Sequence, residues 1–319
     1  MIALLAKILL ALQFAVACGI GFALMRTGRI DHAFVAVLLG GAIVLLLRLL
    51  ITANNFFLSW RFRSEMPAAY RLDWRQRCIL FFGEFAATMT TSSWLMPFRA
   101  FSSRAASHPV TLPLLLVHGY GCNSGYWHPL SKLLLRVGIS HRAIDMEPVT
   151  GGIDDYVSAI HQAVEILRRE SGCSKVIIIA HSMGGLAARA YLRRHGAHHI
   201  ARIITLGTPH RGTGVAQFGV GLNCKQMHWT SGEDEGVCSE WLCELAASET
   251  AASNALFVSI YSHHDNIIAP QTSSYLPGAI NIALGGIGHV ALGLHPRVQT
   301  LIVEEVRKAS RVQPAVSVL

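Results

Sequence analysis

The sequence predicts an α/β domain built on a parallel-type sheet of about six strands, preceded by two apolar helices of membrane-spanning length. Three observations predict it. Two long apolar runs occupy the first 60 residues. From residue 112 onward, short apolar runs alternate with stretches of helical periodicity, the pattern of a parallel sheet covered by helices on both faces. Of the 319 residues, 52% are hydrophobic and only 14% charged, far less charge than an ordinary soluble chain carries. The same composition excludes a disordered chain, which needs low hydrophobicity and high net charge.

Residues 8–25 form an uncharged run that reaches the length of a transmembrane helix, and only Lys7 separates it from the apolar start of the chain. Arg26, Arg29 and Asp31 mark a short polar break. A second run covers 33–47 and continues past Arg48 towards Trp60. Arg48 is costly at mid-bilayer, but a long side chain near a helix end reaches the headgroups. The two runs read as spans at about 2–25 and 33–52, giving a membrane anchor over 1–60. Ala15-Val16-Ala17 resembles a small-residue cleavage site, and Cys18 follows it as in a lipoprotein signal. The apolar run continues past Cys18, however, and a second run follows, which favours the uncleaved anchor.

The formal net charge is +8, and its location decides what it means. Residues 1–110 hold eleven Lys/Arg against four Asp/Glu, whereas 111–319 hold sixteen against fifteen. The basic surplus therefore flanks the apolar runs, and no nucleic-acid-binding motif accompanies it, so the expected partner is a membrane and not a nucleic acid. Arg26 and Arg29 lie in the connecting loop, while Arg61, Arg63, Arg71, Arg75 and Arg77 crowd the stretch after the second run. The positive-inside rule then places both termini, and the domain that follows, in the cytoplasm. Seven cysteines, an odd number without zinc-like pairing, suit reduced thiols; Cys224, Cys238 and Cys243 stay open as bridging candidates on a periplasmic face.

Residues 61–110 read as a juxtamembrane and linker segment. Within it, 70–88 mixes charged residues with Leu72, Trp74, Ile79, Leu80, Phe81, Phe82 and Phe85, as an interfacial helix does, and Ser102, Ser103, Ser107 and Pro109 read as linker. The main domain, 111–319, is expected to have strands at 114–117, 141–146, 175–180, 200–206, 255–261 and 279–284. Helices are expected at 127–137, 153–169, 184–194 and 297–308. The irregular stretch 214–254, with Met227, Trp229, Trp241 and Leu242, is either a lid-like insertion over an acyl pocket or a packed excursion.

The chemistry centres on Ala180-His181-Ser182-Met183-Gly184-Gly185, between the strongest strand and a helix. Small residues two before and two after Ser182 allow a sharp strand-to-helix turn that lifts the hydroxyl above the sheet at a helix N-terminus. Such a serine needs an acid and a base, in the order Ser, acid, His. The carboxylates that follow are Glu233, Asp234, Glu235, Glu240, Glu244, Glu249 and Asp265, and only Asp265 comes directly after an apolar strand. Downstream of it stand two histidines: His289 in the glycine-rich Gly285-Gly286-Ile287-Gly288-His289, and His295 ahead of Pro296 and the last helix. Asp265 is the candidate acid and His289 the candidate base; His263 and His264 are too near the acid, and His181 reads as a packed or hydrogen-bonding neighbour. The turn in Val117-His118-Gly119-Tyr120-Gly121 offers backbone N–H groups to an oxyanion, with the Tyr120 and Met183 amides as the candidate donors.

The set just named, together with Leu206-Gly207-Thr208-Pro209-His210-Arg211-Gly212, resembles bacterial lipases and esterases of the α/β-hydrolase superfamily over about 111–310. Ala180 stands where the usual first glycine of the serine motif would be, a replacement also met in some small bacterial lipases. The resemblance implies hydrolysis of a carboxylic ester through an acyl-enzyme, without a cofactor, by Ser182, Asp265 and His289. Together with the two apolar runs, it points to a multi-pass protein of the bacterial inner membrane acting on lipid or small esters. Some such lipases hold a structural calcium, but no clear ligand set for a metal is visible here. An acyltransferase of the same fold, or a non-catalytic membrane scaffold, are the alternatives.

Overall fold

The computed structural model describes residues 1–28, 30–230 and 236–311. Arg29, Glu233, Asp234 and Glu235, weighed above, lie outside the described residues. Two long helices come first, α1 (Ile2–Arg26) and α2 (Ala33–Arg61), both long and apolar enough to cross a membrane. They pair through small residues four apart. Ala17 and Gly21 of α1 are buried, as are Ala36 and Gly40 of α2. A Cβ on Gly40 would lie 2.0 Å from the Ala17 carbonyl oxygen, so only glycine permits this backbone approach. Small residues at such spacing let apolar helices associate where no hydrophobic effect drives them. Most of their large side chains, including Leu9, Phe14, Phe34 and Leu46, remain exposed.

Arg48 of α2 is not left to reach for the headgroups. Its guanidinium donates to Ser93 Oγ at 2.6 Å and to Ser92 Oγ at 2.8 Å. Those serines follow α3 (Trp74–Thr90), whose start is fixed by a reciprocal Asp73–Gln76 capping box. The helix expected from the mixed pattern at 70–88 is therefore present, and it continues into a five-residue π-helical turn, Thr91–Leu95. Trp74, Ile79 and Phe82 of α3 are exposed, whereas Leu80, Glu84 and Ala87 are buried.

The domain behind these helices carries a seven-stranded sheet. In chain order the strands are β1 (Ser103–Arg104), β2 (Leu114–Val117), β3 (His141–Ile144), β4 (Val176–His181), β5 (Ile200–Leu206), β6 (Phe257–Ser262) and β7 (Ile280–Leu284). Their spatial order is β1-β3-β2-β4-β5-β6-β7, parallel except for β1, which pairs antiparallel with β3. Six strands coincide with the expected runs to within two residues. The seventh, β1, falls in the stretch expected as linker, because two exposed edge residues carry no apolar run to announce them.

Both faces of the sheet are covered, which is why β2 is apolar at every position and β4 at every position but its last, His181. Leu115, Val117, Ile178, Ala180 and Ile203 pack on one face against α5 (Val157–Ser171) and α6 (Met183–His195). Leu114, Leu116, Ile177, Ile179 and Ile204 pack on the other, against α4 (His128–Arg136) and α7 (Pro296–Arg311). The alternation is the period-two geometry of a strand. Within 214–254 much of the chain is tied down. Trp241 Nε1 donates to Asp154 at 2.7 Å, Asn223 Nδ2 donates to the Val149 carbonyl at 2.7 Å, and Leu242 and Leu245 are buried. Phe218, Val220 and Leu222 of the same stretch stand exposed.

Candidate active site

Strand β4 ends at His181 and α6 begins at Met183, so Ser182 alone makes the turn between them. Its backbone sits at φ 55° and ψ −128°, and it is the one non-glycine residue with positive φ among the described residues. Such a conformation costs on the order of 1–3 kcal/mol and persists only where its surroundings enforce it. The enforcement is visible. Ser182 N–H donates to the Leu206 carbonyl at 2.8 Å, and the Ser182 carbonyl accepts from Gly185 N at 3.0 Å and from Thr208 Oγ1 at 2.9 Å. The Gly-Thr-Pro segment at the end of β5 thus clamps the serine turn.

Asp265 follows β6 and is buried. Its Oδ1 accepts the amides of Ile267 at 2.8 Å and Ile268 at 2.7 Å, which fixes the carboxylate plane. Its Oδ2 lies 2.8 Å from His289 Nδ1. A carboxylate oxygen there requires the ring proton on Nδ1, leaving Nε2 as the basic nitrogen. Burial alone would depress the imidazolium, but the Asp265 charge and hydrogen bond outweigh it, with Glu84 adding to them, and His289 is held above the ordinary histidine value. Gly207, at φ 54°, makes room for this pair: a Cβ on it would lie 3.0 Å from Asp265 Oδ2 and 3.2 Å from His289 Nδ1.

Several groups hold His289 in place. His289 N–H donates to Asn266 Oδ1 at 2.9 Å. The His289 carbonyl accepts from His181 Nε2 at 3.1 Å, and the His181 ring lies against both Tyr126 and His289, with centroids 4.5 and 4.6 Å apart. Burial, reinforced by His289, keeps His181 well below the ordinary histidine range, so it is a neutral donor. Tyr126 Oη donates to the Val290 carbonyl at 3.2 Å and accepts from Gly293 N at 2.9 Å. Finally, Glu84 of α3 accepts the amide of Val290 at 2.9 Å and that of Ala291 at 3.0 Å. Burial pushes the Glu84 carboxyl up, against the pull of those two amides and of His289.

The other predicted donors flank the serine. Met183 is the first residue of α6, so its N–H has no acceptor within the helix. Tyr120 follows β2 in a turn fixed by the buried His118. That ring accepts Met146 N–H at Nε2 (3.0 Å) and therefore donates through Nδ1 to the Gly119 carbonyl at 2.8 Å. Burial lowers the His118 pKa, as suits this neutral tautomer. Tyr120 Oη donates to the Val220 carbonyl at 2.8 Å, tying the turn to the exposed apolar rim.

Asp265 and His289 are thus in direct contact, and Ser182, Met183 and Tyr120 lie at the same C-terminal edge of the sheet. The hydrogen bonds of Ser182 all run through its backbone; its Oγ is not bonded to His289. The rejected candidates have other work. Glu249 pairs with the buried Arg189, with Oε1 2.6 Å from Arg189 Nε and Oε2 3.0 Å from Nη2. His264 accepts Gly286 N at 3.1 Å, with burial and His263 pushing it down to about 4. His295 Nδ1 accepts Arg297 N at the start of α7. Among the described residues, no group of three His, Cys, Asp or Glu side chains is placed to hold a metal.

Sequence reading missed Glu84, Tyr126 and Asn266, and with them Gln271. Gln271 Nε2 donates to the Asp265 carbonyl at 2.9 Å, and its Oε1 accepts from Ser64 N at 3.1 Å, just past α2. None of these has a local signal, because each acts on a partner brought close only by the fold.

Residues 113–219 match a family model described as the alpha/beta hydrolase fold. Among solved structures, the Bacillus licheniformis lipase BlEst2 in its mature form aligns with a TM-score of 0.54 at 16% identity, covering 65% of this chain and 97% of that one. Aspergillus fumigatus lipase B aligns with a TM-score of 0.52 at 16% identity, over 65% of this chain and 56% of the other. At such identities the likeness is one of fold. Strand order, serine turn and family match agree: this chain carries an α/β-hydrolase fold.

Proposed function

We propose that the protein is a membrane-anchored serine hydrolase that cleaves carboxylic esters of lipid character. The observation that carries the reading is the Asp265–His289 contact at the same sheet edge as a serine held in a strained strand-to-helix turn. In the proposed reaction Ser182 Oγ attacks the ester carbonyl while His289 Nε2 takes its proton. Asp265 keeps the Nδ1–H tautomer and stabilises the imidazolium, and the Tyr120 and Met183 amides receive the oxyanion. The imidazolium then protonates the departing alcohol, and water, deprotonated by His289, releases the acid from the acyl-enzyme.

Helices α1 and α2 serve as the anchor in this reading, crossing a bacterial inner membrane twice with the catalytic domain on the cytoplasmic side. Their exposed apolar faces and small-residue pairing support it. Phe62, just past α2, packs edge-on to Trp229 at 6.5 Å, and Ser64 bonds to Gln271 beneath the acid loop. The catalytic edge therefore sits close to the membrane, with Phe218, Val220 and Leu222 as an apolar rim for long acyl chains.

A chain-length series of nitrophenyl esters, from acetate to palmitate, tests this on the detergent-solubilised full chain. The expected result is turnover that rises towards long chains and is higher on emulsified than on dissolved ester. Turnover confined to short, dissolved esters contradicts the lipid assignment, and acyl transfer to an added alcohol in preference to water contradicts hydrolysis. The pH dependence has a fixed sign. His289 must be neutral to accept the serine proton and is held above the ordinary value of about 6.5. We therefore expect kcat/KM to fall as pH drops, with its inflection above 6.5, and an inflection below it contradicts the paired base.

A further inference from the structure

A buried carboxylate far from the acid–base pair in sequence bears on the same imidazole. Glu84 is only 1% exposed, on a helix whose neighbouring side chains Ile79 and Phe82 face outward. Burying a charge is costly unless it is paired and hydrogen-bonded. Here each carboxylate oxygen takes one amide, Oε1 from Val290 and Oε2 from Ala291, the two residues directly after His289. The fit leaves no slack on the other side, since a Cβ on Gly288 would lie 2.5 Å from Glu84 Oε2. Beside it α3 and this loop border a cavity of about 320 Å³ lined by Ile79, Leu80, Glu84, Ala87, Ile287 and Leu294. The carboxylate joins the two elements at the edge of that cavity.

The titratable groups around this point are few. Asp265 and His289 face Glu84 across the loop, Tyr126 lies beside it from the stretch before α4, and His295 borders the cavity. His289 itself meets Asp265, Glu84 and the neutral His181.

We propose that Glu84 is a positioning residue for the hydrolytic reaction: it fixes the backbone that carries His289 and sets a second negative charge beside the imidazole. The segment leaving the membrane helices then completes the catalytic base. An imidazolium formed during proton transfer from Ser182 is stabilised by two carboxylates, one on Nδ1 and one through the field behind the loop. The proposal rests on the assignment of His289 as the base, so its test needs a readout that does not depend on turnover.

The experiment compares the full chain in detergent with its Glu84→Gln and Glu84→Asp variants. Two quantities are read: kcat/KM against pH, and the His289 titration by NMR of histidine-labelled protein, assigned with His289→Asn. Glutamine removes the charge and turns an NH₂ towards one of the two amides. Its plateau kcat/KM is expected to fall about tenfold, one decade of the 10²–10⁴ that general-base catalysis contributes. Both the acid limb and the His289 midpoint are expected to move to lower pH. Aspartate keeps the charge at shorter reach, so its midpoint should stay nearer that of the wild type. A structural tie alone would lower the plateau and leave the midpoint in place. An unmoved midpoint in Glu84→Gln therefore overturns the proposal. If glutamine prevents folding, an aspartate variant titrating well below the wild type overturns it, and one that stays near it supports it. Absence of serine-dependent turnover in the wild type would sink the catalytic reading, while the NMR midpoint would still decide the role of Glu84.

Discussion

Replacing Ser182 by alanine is expected to lower kcat on a nitrophenyl ester by on the order of 10⁴–10⁶-fold while leaving the protein folded. The size follows from the loss of the nucleophile that acid, base and amide donors all serve; what remains is binding and the oxyanion amides acting on water. The intact fold follows from the local geometry. Every hydrogen bond that enforces the turn uses the Ser182 backbone: its amide to Leu206 and its carbonyl from Gly185 and Thr208. Alanine keeps all three, and at φ 55° it carries much the same strain as serine. Steady-state rates and thermal unfolding of the purified variant check both halves. Turnover like that of the wild type would refute the nucleophile assignment.

Asp265→Asn is expected to cost on the order of 10⁴-fold in kcat. The two amides of Ile267 and Ile268 both donate to Oδ1, so an asparagine places its carbonyl there and turns its NH₂ towards His289 Nδ1. A donor facing Nδ1 moves the ring proton to Nε2, where it blocks acceptance of the serine proton. The variant also removes the carboxylate that holds His289 above its ordinary value, so the acid limb of the residual activity should move to lower pH. Measured kcat against pH tests this, and a variant within tenfold of the wild type would contradict the role given to Asp265.

What was legible in the chain was whatever repeats locally. The β-branched run 176–179, closed by Ala180 and His181, announces β4, and the serine between it and a helical pattern marks the turn. Chain order then narrows the candidate acid to Asp265, because strand β6 ends three residues before it. What was not legible depends on the third dimension. Val290 lies 206 residues beyond Glu84, at the start of a single 3-10 turn, Val290–Gly293, too short to show periodicity, and the mixed pattern of α3 shows an interfacial helix without showing which face is buried. The edge strand Ser103–Arg104 is two exposed residues whose pairing is set by β3. An intermediate case is the helix hairpin. Ala17, Gly21, Ala36 and Gly40 stand in the sequence at four-residue spacing, but only the antiparallel pairing of α1 and α2 shows that they face one another.

If Ser182 is a nucleophile activated by His289, a fluorophosphonate captures it covalently, and mass-spectrometric mapping of the modified peptide reads out where. One adduct per chain is expected, on Ser182, formed faster as pH rises through the His289 titration and lost on His289→Asn. A folded protein labelled elsewhere, or labelled on Ser182 at a rate indifferent to pH and to His289, would contradict it.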